Sequence, residues 1–152
     1  MDTPENFIVT TPNAALSANL ARIAAEAGAV GTRWPAITHL VALHWDSEEG
    51  DMCPFFTVLL RADDTAFLVN ATNQRGDTNG RAATFRLLAH LGIKVESIAL
   101  NLGRPKPGYP AMPVSLAGVY PESKNLAPLL ENPVFVRWLK SMKSRFVDPD
   151  TL

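Results

Sequence analysis

The chain has 152 residues, of which 47% are hydrophobic and 19% charged, and its formal net charge is −1. This composition is that of a globular protein with a real core and excludes an intrinsically disordered chain. No apolar run reaches the roughly 18 residues that a membrane span requires, so we expect no membrane association. The N-terminal stretch MDTPENF lacks the cationic and apolar regions of a signal peptide, and Cys53 is the only cysteine. We therefore predict a single domain, residues 1–152, in the cytoplasm, without metal or other cofactor.

Charge is distributed unevenly along the chain. Residues 1–74 have a net charge of −6, and residues 75–145 have a net charge of +7. Opposed halves of this kind predict a basic face opposite an acidic one. The alternative is that the two halves interleave in space and their charges mix.

The first two thirds of the chain predict alternating strands and helices. Residues 7–11 indicate a short strand, and a helix follows to Gly28, with Thr11 as its cap and Pro12 in its first turn. Three short segments rich in Val, Phe and Leu predict strands, and these are residues 38–46, 55–62 and 65–72. A second helix is predicted from about Asn79 to Leu91, and a fourth main strand at residues 93–102.

The last third predicts a loop at the proline-rich residues 103–113, an edge strand at 114–120 and irregular structure up to Pro133. Pro133 then begins a final helix that extends to Phe146, with Asn132 as its cap. The order β-α-β-β-β-α-β-(β)-α predicts the α+β class. We expect one antiparallel or mixed sheet, a three-strand meander with added strands, and about three helices on one face.

Alternation along the strands divides the meander into two faces. The predicted core face comprises Val41, Leu43, Trp45, Phe56, Val58, Leu60, Phe67 and Val69. The register set by the connecting loops predicts that His44 lies opposite Thr57 and Thr57 opposite Asn70, with Asp46 beside them. Such a row can bind a ligand together, and a His-x-Asp pair can serve acid–base chemistry. The alternative is a solvated outer face of the sheet with a hydrogen-bonded histidine.

The stretch NATNQRGDTNGR, residues 70–81, leads into the N-terminus of the second helix, where free N–H groups and the helix dipole favour anions. Its glycines would let the backbone approach a ligand, and its arginines can bind phosphate bidentately. The sequence therefore predicts a phosphate or carboxylate site at Arg75, Gly76, Thr78, Asn79, Gly80, Arg81 and Arg86. The alternative is a plain strand-to-helix connection in which Asp77, Thr78 or Asn79 caps the helix.

The final predicted helix combines an apolar stripe with a basic face. The stripe comprises Phe135, Trp138, Leu139, Met142 and Phe146, and the basic face Arg137, Lys140, Lys143 and Arg145. A basic helix of this kind suits nucleic acid, an acidic partner or a membrane surface. The alternatives are a core-packed helix with a solvated cationic face, and a stripe that forms a dimer contact.

No nucleotide-binding glycine motif and no nucleophile motif occurs in the sequence. We therefore expect a small binding or regulatory protein without catalytic activity, with nucleic acid as its partner through the basic surface. One alternative is an acidic protein partner, with this chain as adaptor, inhibitor or homo-oligomer, for example a homodimer. The other is an enzyme that acts on a phosphorylated small molecule through His44 and Asp46.

Overall fold

The computed structural model describes residues 13–28, 34–46, 54–73, 79–103 and 126–148. These segments form one five-stranded mixed sheet and four helices, which confirms the predicted α+β class. None of the helices in these segments has the length and apolar character needed to cross a membrane. The predicted strands at residues 7–11 and 114–120, like the predicted helix start at Thr11 and Pro12, lie outside the described residues.

The elements follow one another along the chain as helix, three strands, helix, strand, two helices and a short strand. Their bounds are α1 (Ala14–Gly28), β1 (Ile37–Asp46), β2 (Phe55–Arg61), β3 (Ala66–Thr72), α2 (Arg81–His90), β4 (Glu96–Gly103), α3 (Ala127–Leu130), α4 (Pro133–Lys140) and β5 (Arg145–Phe146). The helix α3 was not predicted from the sequence, and it leads directly into α4.

The strands lie in the order β3-β2-β1-β4-β5. The strand β1 pairs in parallel with β4, and the other neighbours are antiparallel. The carboxyl ends of β1 and β4 therefore lie at the same edge of the sheet. The helix α2 ends in the turn that leads into β4, so its N-terminus points towards those carboxyl ends.

Both faces of the sheet are covered, and the prediction of helices on one face is wrong. One face packs against α3 and α4 through Val41, Leu43, Trp45, Phe56, Val58, Leu60, Ile98 and Leu102. The opposite face packs against α1 and α2 through Leu40, Leu59, Phe67, Val69 and Val95. Three successive residues of β2, Val58 to Leu60, are fully buried, as is typical of a strand covered on both sides.

The pairing of β3 explains why Phe67 and Val69 lie on the α1 and α2 face and not, as predicted, with Phe56. Phe67 pairs with Leu59, one residue away from the predicted register. A bulge at Val69 then restores the predicted pairing of Thr57 with Asn70. Asn19 of α1 donates a hydrogen bond of 2.6 Å from Nδ2 to the carbonyl oxygen of Val69, which secures α1 at the bulge.

The final helix is shorter than predicted. The helix α4 ends at Lys140, where the Oγ of Ser141 donates to the carbonyl oxygen of Trp138 at 2.6 Å. The chain then turns to pair β5 with the first residues of β4. Phe146 consequently lies on a strand, 70% exposed, and does not join the apolar stripe. Strand pairing with a distant segment overrides the helical periodicity of the sequence here.

The remaining stripe packs into the core, but not uniformly. Phe135 is fully buried, whereas Trp138 is half-buried and tilts against it with 5.7 Å between ring centroids. We expect Phe135→Ala to lower the free energy of unfolding by about 3–5 kcal/mol, and Trp138→Ala by less, because part of its indole already faces solvent. Denaturant unfolding of the two variants measures the difference. A larger loss for Trp138→Ala would contradict this packing.

The start of α2 lies very close to α1 at Gly80. Gly80 has φ +81°, and a Cβ built there would lie 2.7 Å from Cδ1 of Leu16. This glycine therefore accommodates a left-handed backbone and the close approach of a helix side chain. The space that a Gly80 side chain would occupy is filled by Leu16, and the role of Gly80 in a ligand site stays a prediction.

Gly80→Ala should lower the free energy of unfolding by about 2–4 kcal/mol, the sum of left-handed strain and overpacking. Gly92 provides a matched control, because it has φ +74° with no atom within 4 Å of the added Cβ. Gly92→Ala should cost only the backbone strain, about 1–2 kcal/mol. Equal losses in denaturant unfolding would show that the Leu16 contact does not matter.

Candidate functional site

The predicted polar row forms only in part. His44 pairs with Phe55 and not with Thr57, which instead pairs with Ala42. The prediction is wrong by two residues because the connection between β1 and β2 is centred one residue earlier than assumed. The rings of His44 and Phe55 stack with 4.4 Å between their centroids and 2° between their planes. The side chain of Asp46 lies outside the described residues.

Thr57 and Asn70 pair as predicted, but both are buried under the start of α2. The hydroxyl of Thr57 donates to the carbonyl oxygen of Asn79 at 2.5 Å. Oδ1 of Asn79 in turn accepts from the backbone N–H of Arg81 at 2.9 Å. These residues therefore hold the first turn of α2 on the sheet. The N-cap of α2 is Gly80, which has no side-chain cap, and not Asn79 as the alternative interpretation expected. Arg75, Gly76, Asp77 and Thr78 lie outside the described residues.

Arg81, the first residue of α2, extends over the sheet. Its Nη2 donates a hydrogen bond of 3.0 Å to Oγ of Ser97 on β4, and its guanidinium carbon lies 5.9 Å from the ring centroid of Phe85. Nε of Arg81 is buried without a hydrogen-bond partner among the described residues.

Two cross-strand pairs lie on the α2 face of the sheet near Arg81. Ala42 pairs with Ala99, and His44 pairs with Asn101. Ala99 is exposed, although β4 is an inner strand. Oδ1 of Asn101 is buried and, within the described part of the chain, accepts no hydrogen bond. We call the part of this face formed by Arg81, Ser97, Ala99 and Asn101 the Arg81 surface, and Arg81 reaches it at Ser97, the second residue of β4.

Positive charge collects at the Ser97 end of the Arg81 surface. Arg145 of β5 pairs with Ser97, the residue to which Arg81 donates. Burial, and secondarily the charge of Arg145, lower the pKa of the Arg81 guanidinium below its usual value. No carboxylate of the described residues forms an ion pair with Arg81. The two arginines therefore repel each other without a compensating charge from this part of the chain.

The predicted basic face of the last helix is divided by the fold. Lys140 and Arg137 both bind Asp64 of the β2–β3 turn, at 2.8 Å and 3.5 Å. The hydrogen bond from Lys140 holds the pKa of the Asp64 carboxyl below its usual range. Arg145 lies on the opposite face of the sheet, beside Arg81. Lys143, and Arg86 on α2, are exposed.

Asn101 was not among the residues predicted from the sequence. Its alternation with Ser97 and Ala99 is visible in the sequence, but only the parallel pairing of β4 with β1 places it beside His44. Among the described residues, no three His, Cys, Asp or Glu side chains are grouped closely enough to hold a metal ion.

Comparison of the chain with known protein families, with curated proteins and with solved structures finds no match. The interpretation of the Arg81 surface therefore depends on the charges, hydrogen bonds and exposure of its own residues.

A separate polar cluster lies on the α4 face of the sheet. His39 pairs with Glu96 across β1 and β4, with 3.7 Å between Nε2 and Oε2, and the hydroxyl of Ser144 donates to the same carboxylate. Burial lowers the pKa of His39 from its ordinary value of 6.5, and this effect outweighs Glu96, which raises it. The cluster connects β1, β4 and the segment before β5.

The lowered pKa of His39 predicts how stability depends on pH. As the pH falls below 6.5, the unfolded state takes up the His39 proton first, so the free energy of unfolding decreases until the folded-state pKa is passed. Above pH 6.5 the contribution of His39 to the free energy of unfolding is constant. His39→Gln should flatten the decrease when unfolding is measured from about pH 7 to about pH 5. An unchanged slope in the variant would contradict the assignment to His39.

Proposed function

We propose that this protein is a non-catalytic binding or regulatory protein for a small anionic ligand of the phosphate or carboxylate class, bound between Arg81 and Arg145 at the Arg81 surface. The observation that carries the proposal is the half-buried guanidinium of Arg81, which has no carboxylate partner among the described residues and lies near Arg145. A buried charge is normally paired, because its lost hydration has to be replaced. A bound anion would supply the missing charge.

Arg81 is in the wrong place for protein stability alone. A cation in the first turn of a helix opposes the helix dipole, which costs about 0.3–1 kcal/mol at exposed positions. The neighbouring Arg145 adds to this cost. An anion between the two arginines reverses the sign of both interactions, and the hydrogen bond from Arg81 to Ser97 already holds the guanidinium in position.

The Arg81 surface has room for a small ligand beside the guanidinium. Ala42 and Ala99 have small side chains, and Ala99 is exposed between Ser97 and Asn101 on β4. The hydrogen bond to Ser97 fixes the guanidinium of Arg81, which can in turn fix the orientation of a bound anion.

Nucleic acid remains a second candidate because Arg86, Lys143 and Arg145 are exposed. Arg137 and Lys140, which were expected to extend this surface, are bound to Asp64 instead. A polyanion would therefore use a smaller set of cations than the sequence suggested. An acidic protein partner would compete for the same exposed cations, and catalysis through His44 and Asp46 stays an untested prediction.

The proposal is tested by measuring the binding of inorganic phosphate, citrate and a short RNA duplex to the wild type and to Arg81→Gln. Arg86→Gln is the matched control, because Arg86 lies on the same helix but is exposed. We expect phosphate or citrate to raise the melting temperature of the wild type and of Arg86→Gln. Arg81→Gln should lose this response while the free protein stays at least as stable.

Two outcomes would argue against a small-anion site. Equal binding of phosphate and citrate to all three proteins would show that Arg81 is only structural. Binding of the RNA duplex alone, weakened by Arg86→Gln and falling steeply with salt concentration, would instead favour the nucleic-acid candidate, since counterion release makes such binding salt-dependent.

A further inference from the structure

An open cavity lies between the end of α2 and the segment that contains β5, and no residue of the Arg81 surface lines it. Its volume is about 670 Å³, within the range of about 300–1,000 Å³ that is typical of small-molecule pockets. Most of the lining is apolar, and this part comprises Phe85, Ala89, Ile93, Val95, Phe146 and Val147. We call it the Phe85 cavity. A lining of this kind favours a ligand with an apolar body.

The floor of the Phe85 cavity belongs to the core, whereas its rim faces solvent. Phe85 and Val95 are buried in the core on the α1 and α2 face, and Val147 packs against the same core. Ala89 and Phe146 are exposed, and Phe146 is the most exposed large hydrophobic residue of the described chain. Exposed apolar surface that continues into a cavity is typical of a binding site, because a ligand removes both from water.

The polar groups at the Phe85 cavity indicate the chemistry of the rest of the ligand. The last carbonyl groups of α2 are already used, because those of Leu87, Leu88 and Ala89 accept from the N–H groups of the turn that follows. Two charged residues also line the cavity, Lys94 and Asp148. Asp148 already interacts with another group of the chain, whereas Lys94 is exposed and forms no ion pair with a described residue. The available charge is therefore positive, and it complements an acidic group.

We infer that the Phe85 cavity binds an amphipathic monocarboxylate, of which a medium-chain fatty acid is the simplest example. The apolar chain lies on Phe85 and Val95, and the carboxylate lies at the rim, where the ammonium group of Lys94 donates to it. A single acid group fits best, since Asp148 on the same rim repels a ligand of higher negative charge. This site is separate from the anion site proposed at Arg81, and neither depends on the other.

The test is titration calorimetry of the full chain with decanoate, decanol and decylamine, which share an apolar tail and differ in the charge of the head group. Decanoate should bind about two- to fivefold more tightly than decanol, as expected for one exposed ion pair, and decylamine more weakly than decanol. Hexanoate should bind about tenfold or more weakly than decanoate, because it buries fewer methylene groups. Lys94→Gln should make the affinities of decanoate and decanol equal.

Two further variants locate the bound acid. Ala89→Phe should abolish the binding of decanoate, because the added ring occupies the cavity from the side of α2. Ala21→Phe is the matched control, because it adds the same ring at an exposed position of α1 that does not line the cavity. Ala21→Phe and Arg81→Gln should both bind decanoate as the wild type does.

Four outcomes would overturn the inference. Loss of decanoate binding in Arg81→Gln but not in Ala89→Phe would move the acid to the proposed anion site and support that site instead. Equal affinities of decanoate and decanol, or tighter binding of decylamine, would exclude the carboxylate. No binding of any of the four ligands would exclude the site, while the response to phosphate and citrate would still decide the proposed function. A dimer of the chain that Ala89→Phe dissociates would make a second copy the occupant. The ligand series needs only the wild type, so a poorly folded variant does not prevent the test.

Discussion

The parallel pairing of β1 with β4 is the constraint on which the rest of the molecule depends. It brings the carboxyl ends of two inner strands to one edge of the sheet and places His44 beside Asn101. Because β1 and β4 run in the same direction, the chain between them has to return to the end of the sheet at which β1 begins, and α2 is part of that connection. The hydrogen bond from Thr57 to Asn79 secures the first turn of α2 over β2. From this first turn, Arg81 extends over the sheet to Ser97, near the amino end of β4.

The covering of both sheet faces determines how charge is distributed. The helix α4 packs on one face, where Lys140 and Arg137 meet Asp64 from the first half of the chain. The strand β5 then continues at the sheet edge and presents Arg145 to the other face, beside Arg81. The negative and positive halves of the sequence therefore mix at α4, whereas two cations remain together at the Arg81 surface. The ion pairs at Asp64 remove Lys140 and Arg137 from a basic binding surface.

The stretch from Asn70 to Arg81, which the sequence predicts to be a ligand site, combines structural residues with a charged residue. Asn70, Asn79 and Gly80 are structural, because they are buried between α1, α2 and the sheet. Among the described residues of this stretch, the charged one is Arg81, which extends over the sheet to Ser97. Its buried neighbours fix the helix start from which it extends.

The sequence by itself determined the local structure. Short apolar segments, turn residues and helical periodicity were sufficient to place the three strands of the meander, the fourth main strand and three of the four described helices near their observed positions, because these signals act over a few residues. Alternation along β1 was also correct, since it follows from the pleat alone. Only the tertiary structure decided which strands are neighbours, the register of His44 against Phe55, and the end of α4 at Lys140. These three features depend on contacts between segments that are distant in the sequence. Pairing with β4 outweighs the helix propensity of β5, and packing on both faces of the sheet selects the register. Asn101 joins the candidate site for the same reason, since nothing near it in the chain indicates that β1 lies beside it.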